Sequence, residues 1–154
     1  MTVTYTKLHP DVPTPKRAHP NDAGVDLVAW DCKPVDPEST GEWMGATIPA
    51  GDTRTFGTGI AAAIPEGYVG LLFVRSSLGV KKGVTLANGT GVIDAGYRGE
   101  IKVCLRSNSD NVLIHRGDRI VQMVVVPVDL ADWVEVEHLD DTARGAGGFG
   151  STGQ

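Results

Sequence analysis

An all-β fold follows from three features of this 154-residue chain. Its 20 glycines and 9 prolines interrupt it too often for long helices. No window holds apolar residues at a 3.6-residue period over a dozen positions. What recurs instead are short segments of strand composition between turn-forming residues. The length suits one domain with a sizeable core and is short for two.

Taken in order, residues 3–8 alternate as an edge strand would, and a proline-rich connection follows from Pro10 to Pro20. In DAGVDLVAW, residues 22–30, Val25, Leu27 and Ala29 alternate with Asp26 and Val28, which predicts a strand with one buried face and Asp26 on the other. Taken alone, such an Asp is ordinarily just solvated. Residues 31–52 are rich in Pro, Gly, Asp and Glu and read as a long surface loop, with Trp30, Trp43 and Met44 as its anchors. From Thr53 to Val74 the pattern predicts short strands split by Gly57, Gly59, Pro65 and Gly67, ending in YVGLLFV. A short turn of helix is expected from RSSLGVKKG, for which the plain reading is an N-cap serine beside a surface Arg. A guanidinium, two hydroxyls and helical N–H groups at one point also suit a phosphate group.

The segment GVIDAGYRGE, residues 91–100, places Asp94, Tyr97 and Arg98 within five positions between glycines 89, 91, 96 and 99. Such glycine density permits left-handed backbone and close approach of a ligand to the main chain. With Val92 and Ile93 before it and Ile101, Val103 and Leu105 after it, the segment reads as a β-hairpin whose tip and arms wall a pocket. In HRGDRIVQMVVVPV, alternation sets Gln122 in an apolar row, where an unpaired amide costs on the order of 1–3 kcal/mol, so Gln122 meets either backbone or a ligand. A last strand is expected near Trp133–Val136.

Composition excludes several classes. A net charge of −5 and a pI near 5.2 argue against a protein held on nucleic acid by bulk electrostatics. Cys32 and Cys104 form neither a disulfide framework nor a CxxC site, and four scattered histidines contain no HExxH cluster, so reduced thiols and a cytoplasmic location are expected. Residues 1–17 hold no apolar run of signal-peptide length, and the apolar run 120–128, broken by Gln122 and Pro127, is far below the roughly 20 residues of a membrane span, so neither a leader nor a span is expected.

The tail RGAGGFGSTGQ has too many glycines to hold one conformation unaided. Gly145 to Thr152 matches a GxxxxG-x-[ST] spacing, but Ser151 stands where a P-loop needs lysine and no helix can follow, so that reading is rejected. A tail with Arg144, Phe149 and many N–H groups reads better as a lid. Ordering it costs roughly 1–2 kcal/mol per residue. Charge-assisted hydrogen bonds to a polyphosphate return roughly 1.5–3 kcal/mol each, so closure needs the ligand.

Five segments in this order resemble the motifs of the trimeric dUTP diphosphatases, the dUTPases: DAGVDL (22–27), RSSLG (75–79), GVIDAGYRGE (91–100), GDRIVQMV (117–124) and RGAGGFGSTG (144–153). The third and fifth are specific; the others are weak alone. The resemblance spans nearly the whole chain. It implies a distorted jelly-roll subunit of β-clip type over residues 1–140, with a lid arm over 141–154. It also implies a homotrimer with active sites at subunit interfaces. The implied reaction is Mg²⁺-dependent hydrolysis of dUTP to dUMP and pyrophosphate, limiting uracil in DNA and supplying dUMP for thymidylate synthesis.

The resemblance also implies roles. Asp94 would activate the water that attacks the α-phosphorus, and Tyr97 would lie against the deoxyribose and exclude a 2′-hydroxyl. Asn88 and main-chain groups of the hairpin would read the uracil edge, and Gly91, Ile93 and Lys102 would also contact the substrate. Arg75, Ser76, Ser77 and Gln122 would hold phosphate oxygens, and Asp26 would bind the metal through water. Arg144, Phe149, Gly150, Ser151 and Thr152 would close over the substrate, while Arg119 would brace neighbouring motifs through an ion pair. Two departures stand out: Val74 where the family usually has proline, and a longer 31–50 loop, at which a protein partner is left open. The rival readings are a dCTP deaminase on the same fold, disfavoured by the intact tail motif and Asp94, with no zinc-deaminase HxE and PCxxC present either; a dUTP-sensing regulator acting through the loop; and a purely structural trimer.

Overall fold

The computed structural model describes residues 1–32 and 43–148. Among these residues eleven strands and one helix occur in the order β1 (Thr4–Lys7), β2 (Val25–Val28), β3 (Asp31–Cys32), β4 (Gly45–Ile48), β5 (Thr53–Ala63), β6 (Tyr68–Val74), α1 (Ser76–Lys82), β7 (Val84–Leu86), β8 (Gly91–Ile93), β9 (Glu100–Ser107), β10 (Val112–His115) and β11 (Arg119–Pro127). One sheet has the order β1-β5-β9-β7, with β3 also on β5; a second runs β2-β11-β6-β8; β10 and β4 form a two-stranded ribbon. Every strand pairing is antiparallel. The all-β expectation holds. Between the sheets lie Leu27, Ile48, Phe56, Leu72, Ile101, Leu105, Ile114 and Ile120, all essentially inaccessible to water.

β1 is an edge strand, as alternation indicates. The 31–52 stretch is not all loop: Asp31 and Cys32 pair with Gly57 and Phe56, and β4 pairs with β10, burying Ala46 and Ile48. Trp43 packs on Phe56 with ring centroids 5.9 Å apart, and the Arg116 guanidinium lies 4.0 Å above the Trp30 ring. Met44 is exposed and anchors nothing. Short strands such as these carry too few residues to show a period; their partner, far along the chain, specifies them. Residues 33–42, the middle of the loop at which a protein partner is left open, lie outside the described residues.

Gly57 and Gly59 do not split β5, which is one strand of eleven residues. They form a bulge: four steps from Gly57 to Ala61 face only two from Lys102 to Glu100. The buried Thr58 hydroxyl donates to the Ile101 carbonyl at 2.7 Å, and Gly59 sits at φ +67°, where a Cβ would strike Val12 and Trp30. A second bulge, between Arg119 and Val121, lets Ile120 and Val121 both be buried and breaks the simple alternation expected there.

The segment 91–100 is not a hairpin. β8 pairs with β6 in one sheet, and β9 pairs with β5 and β7 in the other, so residues 94–99 arch from sheet to sheet. Apolar composition on both arms fits either geometry, and only the pairing partners separate them. Nor is there a strand at 133–136. Among the described residues the last strand ends at Pro127, and Leu130, Trp133, Val134, Val136 and Leu139 are exposed, Trp133 at 99%. No helix among the described residues is long and apolar enough to cross a membrane.

Candidate active site

Asp26 on β2, Gln122 on β11 and Phe73 on β6 are register partners across three strands, so their side chains share the outer face of the second sheet. Arg75 follows the end of β6, and its backbone is held from both sides. Its N–H donates to the Ile120 carbonyl at 3.1 Å, and its carbonyl accepts the N–H groups of Leu78 and Gly79 at 3.0 Å each. From this pinned position its Nε reaches Asp26 Oδ1 at 3.0 Å. The other oxygen of the same carboxylate, Oδ2, accepts from Arg119 at 3.1 Å. One carboxylate therefore joins two guanidiniums, leaving the trio a net charge of +1 that suits an anion. Asp26 is only 15% exposed and Arg119 53%, so the Arg75 arm is the less screened of the two.

The serine-cap reading of α1 is corrected here: Arg75 itself occupies the N-cap, with no side-chain cap, and Ser76 and Ser77 are exposed residues of the first turn. Gly24, Asp26, Arg75, Ser76 and Gln122 line one cleft of about 260 Å³. Gly24 is required for it. A Cβ there would lie 2.6 Å from Gln122 Oε1, so the missing side chain is what leaves room for the amide. Among the described residues no group of three His, Cys, Asp or Glu side chains could cage a metal. Each Asp26 oxygen has one guanidinium partner and keeps acceptor capacity, a donor set that fits a hydrated cation held through water and not a dry one.

A second cleft, of about 430 Å³, is lined by Leu86, Asn88, Gly91, Lys102 and Cys104 among others, and shares no lining residue with the first. Gly91 packs its Cα against Leu72, whose side chain a Cβ would meet at 3.0 Å. Ile93 points its side chain into the core and can offer a ligand only its main chain. Lys102 Nζ lies 3.5 Å from Glu100 Oε2.

The arch between the sheets carries Asp94 and Tyr97. The Tyr97 N–H closes a turn on the Asp94 carbonyl at 3.0 Å, and the Tyr97 hydroxyl donates to the Glu100 carbonyl at 2.8 Å. Arg98 is consumed locally, donating to the carbonyls of Ala95 and Tyr97. The Asp94 carboxylate is exposed and has no ion pair or side-chain hydrogen bond among the described residues. Arg144 folds onto its own turn, with Nε 3.0 Å from the Gly147 carbonyl, and reaches neither cleft in this conformation. Phe149, Gly150, Ser151 and Thr152 lie outside the described residues.

The structure thus brings Asp26, Arg75, Ser76, Gln122 and Arg119 together, sets Asn88, Gly91 and Lys102 apart from them, and leaves Asp94 and Tyr97 on an exposed arch. Reading by sequence missed Gly24 as the space-maker for Gln122, and it missed Glu100, whose carboxylate enters the β5 bulge. The signal for the second was the Gly57-x-Gly59 pair, which marks a bulge as readily as a break.

A sequence model of the dUTPase family matches residues 43–153, more than half the chain. The chain is 48% identical over 155 aligned residues to a deoxyuridine 5′-triphosphate nucleotidohydrolase of Rhodococcus erythropolis, covering 99% of this chain and 87% of that one. It is similar to a mutant dUTPase of Staphylococcus bacteriophage 80alpha solved with dUpNHpp, at TM-score 0.81 and 26% identity over 99% of each chain. It is also similar, at TM-score 0.74 and 25% identity over 90% of this chain and 98% of the other, to a mutant dUTPase from phage phi11 of S. aureus. The latter structure details the coordination of a structural Mg(II) ion.

Proposed function

The chain belongs to the dUTPase family, and from that premise we propose how its residues divide the work between two clefts and an arch. It is a nucleotide hydrolase that cleaves dUTP to dUMP and pyrophosphate. The observation that carries the assignment is the Asp26–Arg75–Arg119 bridge beside Ser76 and Gln122, a cationic, hydrogen-bonding cleft suited to a polyphosphate.

In this reading Arg75, Ser76 and Ser77 hold phosphate oxygens, and Gln122 donates to the α-phosphate. The wedge of Asn88, Gly91 and Lys102, with the Ile93 main chain, receives the base. A site built to pair particular donors and acceptors rejects a base that leaves them unpaired by roughly 10⁴. Tyr97, its hydroxyl turned back to Glu100, offers its ring to the sugar. Asp94 takes the proton of the attacking water as the bond to the α-phosphorus forms, and the pyrophosphate leaves in line. Magnesium, when bound, spreads the negative charge of the triphosphate; Asp26 would hold it through water. Arg144 and the tail through Thr152 close on the terminal phosphates, with Phe149 over the base, as a lid arm over 141–154 on the domain 1–140.

The acting particle is a homotrimer. Three features support self-association, and the number three rests on the family resemblance. The two clefts share no residue on one chain. The outer face of the second sheet presents Leu71, Phe73, Val92, Val124 and Val126, of which Val92 is 58% exposed. The apolar segment 130–139 is exposed along its length. Apolar surface so placed is covered when a second copy docks. The thiols of Cys32 and Cys104 support a reducing, cytoplasmic setting. A pyrophosphate-release assay over dUTP, dTTP, dCTP and UTP with magnesium tests the reading: turnover confined to dUTP is expected, and intact dUTP would overturn it. Sedimentation of about three subunits per particle is expected, and a stable monomer removes the shared site.

A further inference from the structure

Glu100 belongs to neither cleft wall by its carboxylate, yet that carboxylate is the least exposed acidic group beside the arch. Its side chain is 19% exposed and is turned toward β5. Oε1 accepts the N–H of Gly59 at 2.9 Å, a donor that the β5 bulge withdraws from the ladder. Oε2 faces Lys102 Nζ at 3.5 Å. The space it fills is the one Gly57 leaves: a Cβ at Gly57 would collide with Oε1 and lie 3.0 Å from the carboxyl carbon. The main chain of the same residue receives the Tyr97 hydroxyl at 2.8 Å. Gly99 completes the arrangement, since a Cβ there would lie 2.6 Å from the Tyr97 ring carbon Cζ.

Two glycines on one strand, one carboxylate and one phenol thus form a continuous linkage from β5 to the arch. We propose that Glu100 is a positioning residue for sugar recognition: its carboxylate, locked in the bulge, fixes the carbonyl that orients Tyr97, and so sets the discrimination between deoxyribose and ribose. The inference rests on the reading of Tyr97 as the wall against the sugar. Lys102, 53% exposed, adds little to the lock because water screens it. The hydrogen bond accepted from the Gly59 N–H, which a carboxamide oxygen can also accept, is the part that matters.

The test compares Glu100→Ala, Glu100→Gln and Gly57→Ala in the full chain, measuring kcat and KM for dUTP and UTP together with thermal midpoints. Glu100→Ala is expected to narrow the dUTP-over-UTP ratio of kcat/KM by roughly tenfold, with KM for dUTP carrying more of the loss than kcat. Glu100→Gln is expected to restore most of the ratio, because its amide oxygen still accepts from Gly59. Gly57→Ala should reproduce the Glu100→Ala defect from the opposite strand, and it decides the matter should Glu100→Ala fail to fold. An unchanged ratio in Gly57→Ala, or a lowered midpoint with an unchanged ratio in Glu100→Ala, overturns the inference. Tyr97→Ala separates the two levels. If it alone leaves sugar discrimination intact, the role of Tyr97 falls as well; if it abolishes discrimination while the Glu100 and Gly57 variants do not, only the positioning role falls.

Discussion

Asp26 and Arg75, far apart in sequence, meet at 3.0 Å because β2 and β6 both flank β11. Nothing local to either residue specifies the contact. β11 sets Gln122 beside Asp26 on one side and Phe73 on the other, and Arg75 follows two residues beyond Phe73, at the strand's end. The polar cleft is therefore a property of one strand's register.

Removing the carboxylate tests this bridge. Asp26→Asn leaves Arg75, 25% exposed, without its charged partner and should cost about 1–3 kcal/mol of stability, between the values for exposed and buried pairs. A melting midpoint lowered by several degrees and a loss of turnover that raised magnesium only partly reverses are expected. Unchanged stability would mean the bridge is not formed in solution.

Asp94→Asn alters an exposed side chain with no partner among the described residues, so the fold should be untouched. Turnover should fall by about 10²-fold or more, the usual worth of a general base, with affinity for a non-hydrolysable dUTP analogue preserved. Calorimetric titration beside a rate assay checks it, and near-normal turnover refutes the base assignment.

Gly24→Ala places a methyl group 2.6 Å from Gln122 Oε1 and 3.1 Å from its Cβ. The amide must swing out of the cleft. We expect a folded protein whose KM for dUTP rises roughly tenfold, the size of one lost polar contact to a charged group. A wild-type KM would show that Gln122 does not touch the substrate.

Deleting residues 144–154 should abolish efficient hydrolysis and leave the thermal midpoint unchanged, since among the described residues Arg144 bonds only within its own turn. A steady-state rate and a melting curve on the truncated chain check this. An unaffected rate would remove the lid.

Burial pushes the Cys32 thiol above its ordinary value of 9.0, with the nearby Arg54 opposing. The folded state therefore keeps its proton after the unfolded chain has lost one. Stability from this group is complete below about 9 and declines as pH rises through and beyond that value. Urea midpoints measured from neutral to alkaline pH should fall less steeply in Cys32→Ala than in the parent, and parallel slopes would contradict the assignment.

How much was legible can be judged residue by residue. The strands at Thr4–Lys7 and around Asp26 were readable from their strand composition, but their burial does not alternate: β1 has no buried residue, and Leu27, Val28 and Ala29 are all buried in succession. The pairing of Asp26 was not readable, since a solvated strand carboxylate and a bridged one have the same letters around them. A glycine-rich turn serves the arch at 94–99 as well as it would a hairpin; the choice lay with β6 and β5, the strands that capture its two arms. β4 and β10 were invisible because each exists only through the other.

By itself, then, the sequence determined the all-β class, the family and the kinds of chemical group available, since these depend on composition and on ordered local motifs. Which carboxylate meets which guanidinium, that Gly57 and Gly59 make room and a donor for Glu100, and that the two clefts stand apart on one chain were decided by the tertiary structure alone. The physical reason is that strand pairing joins residues of large sequence separation, and its register is selected by the burial of whole faces and not by any single residue.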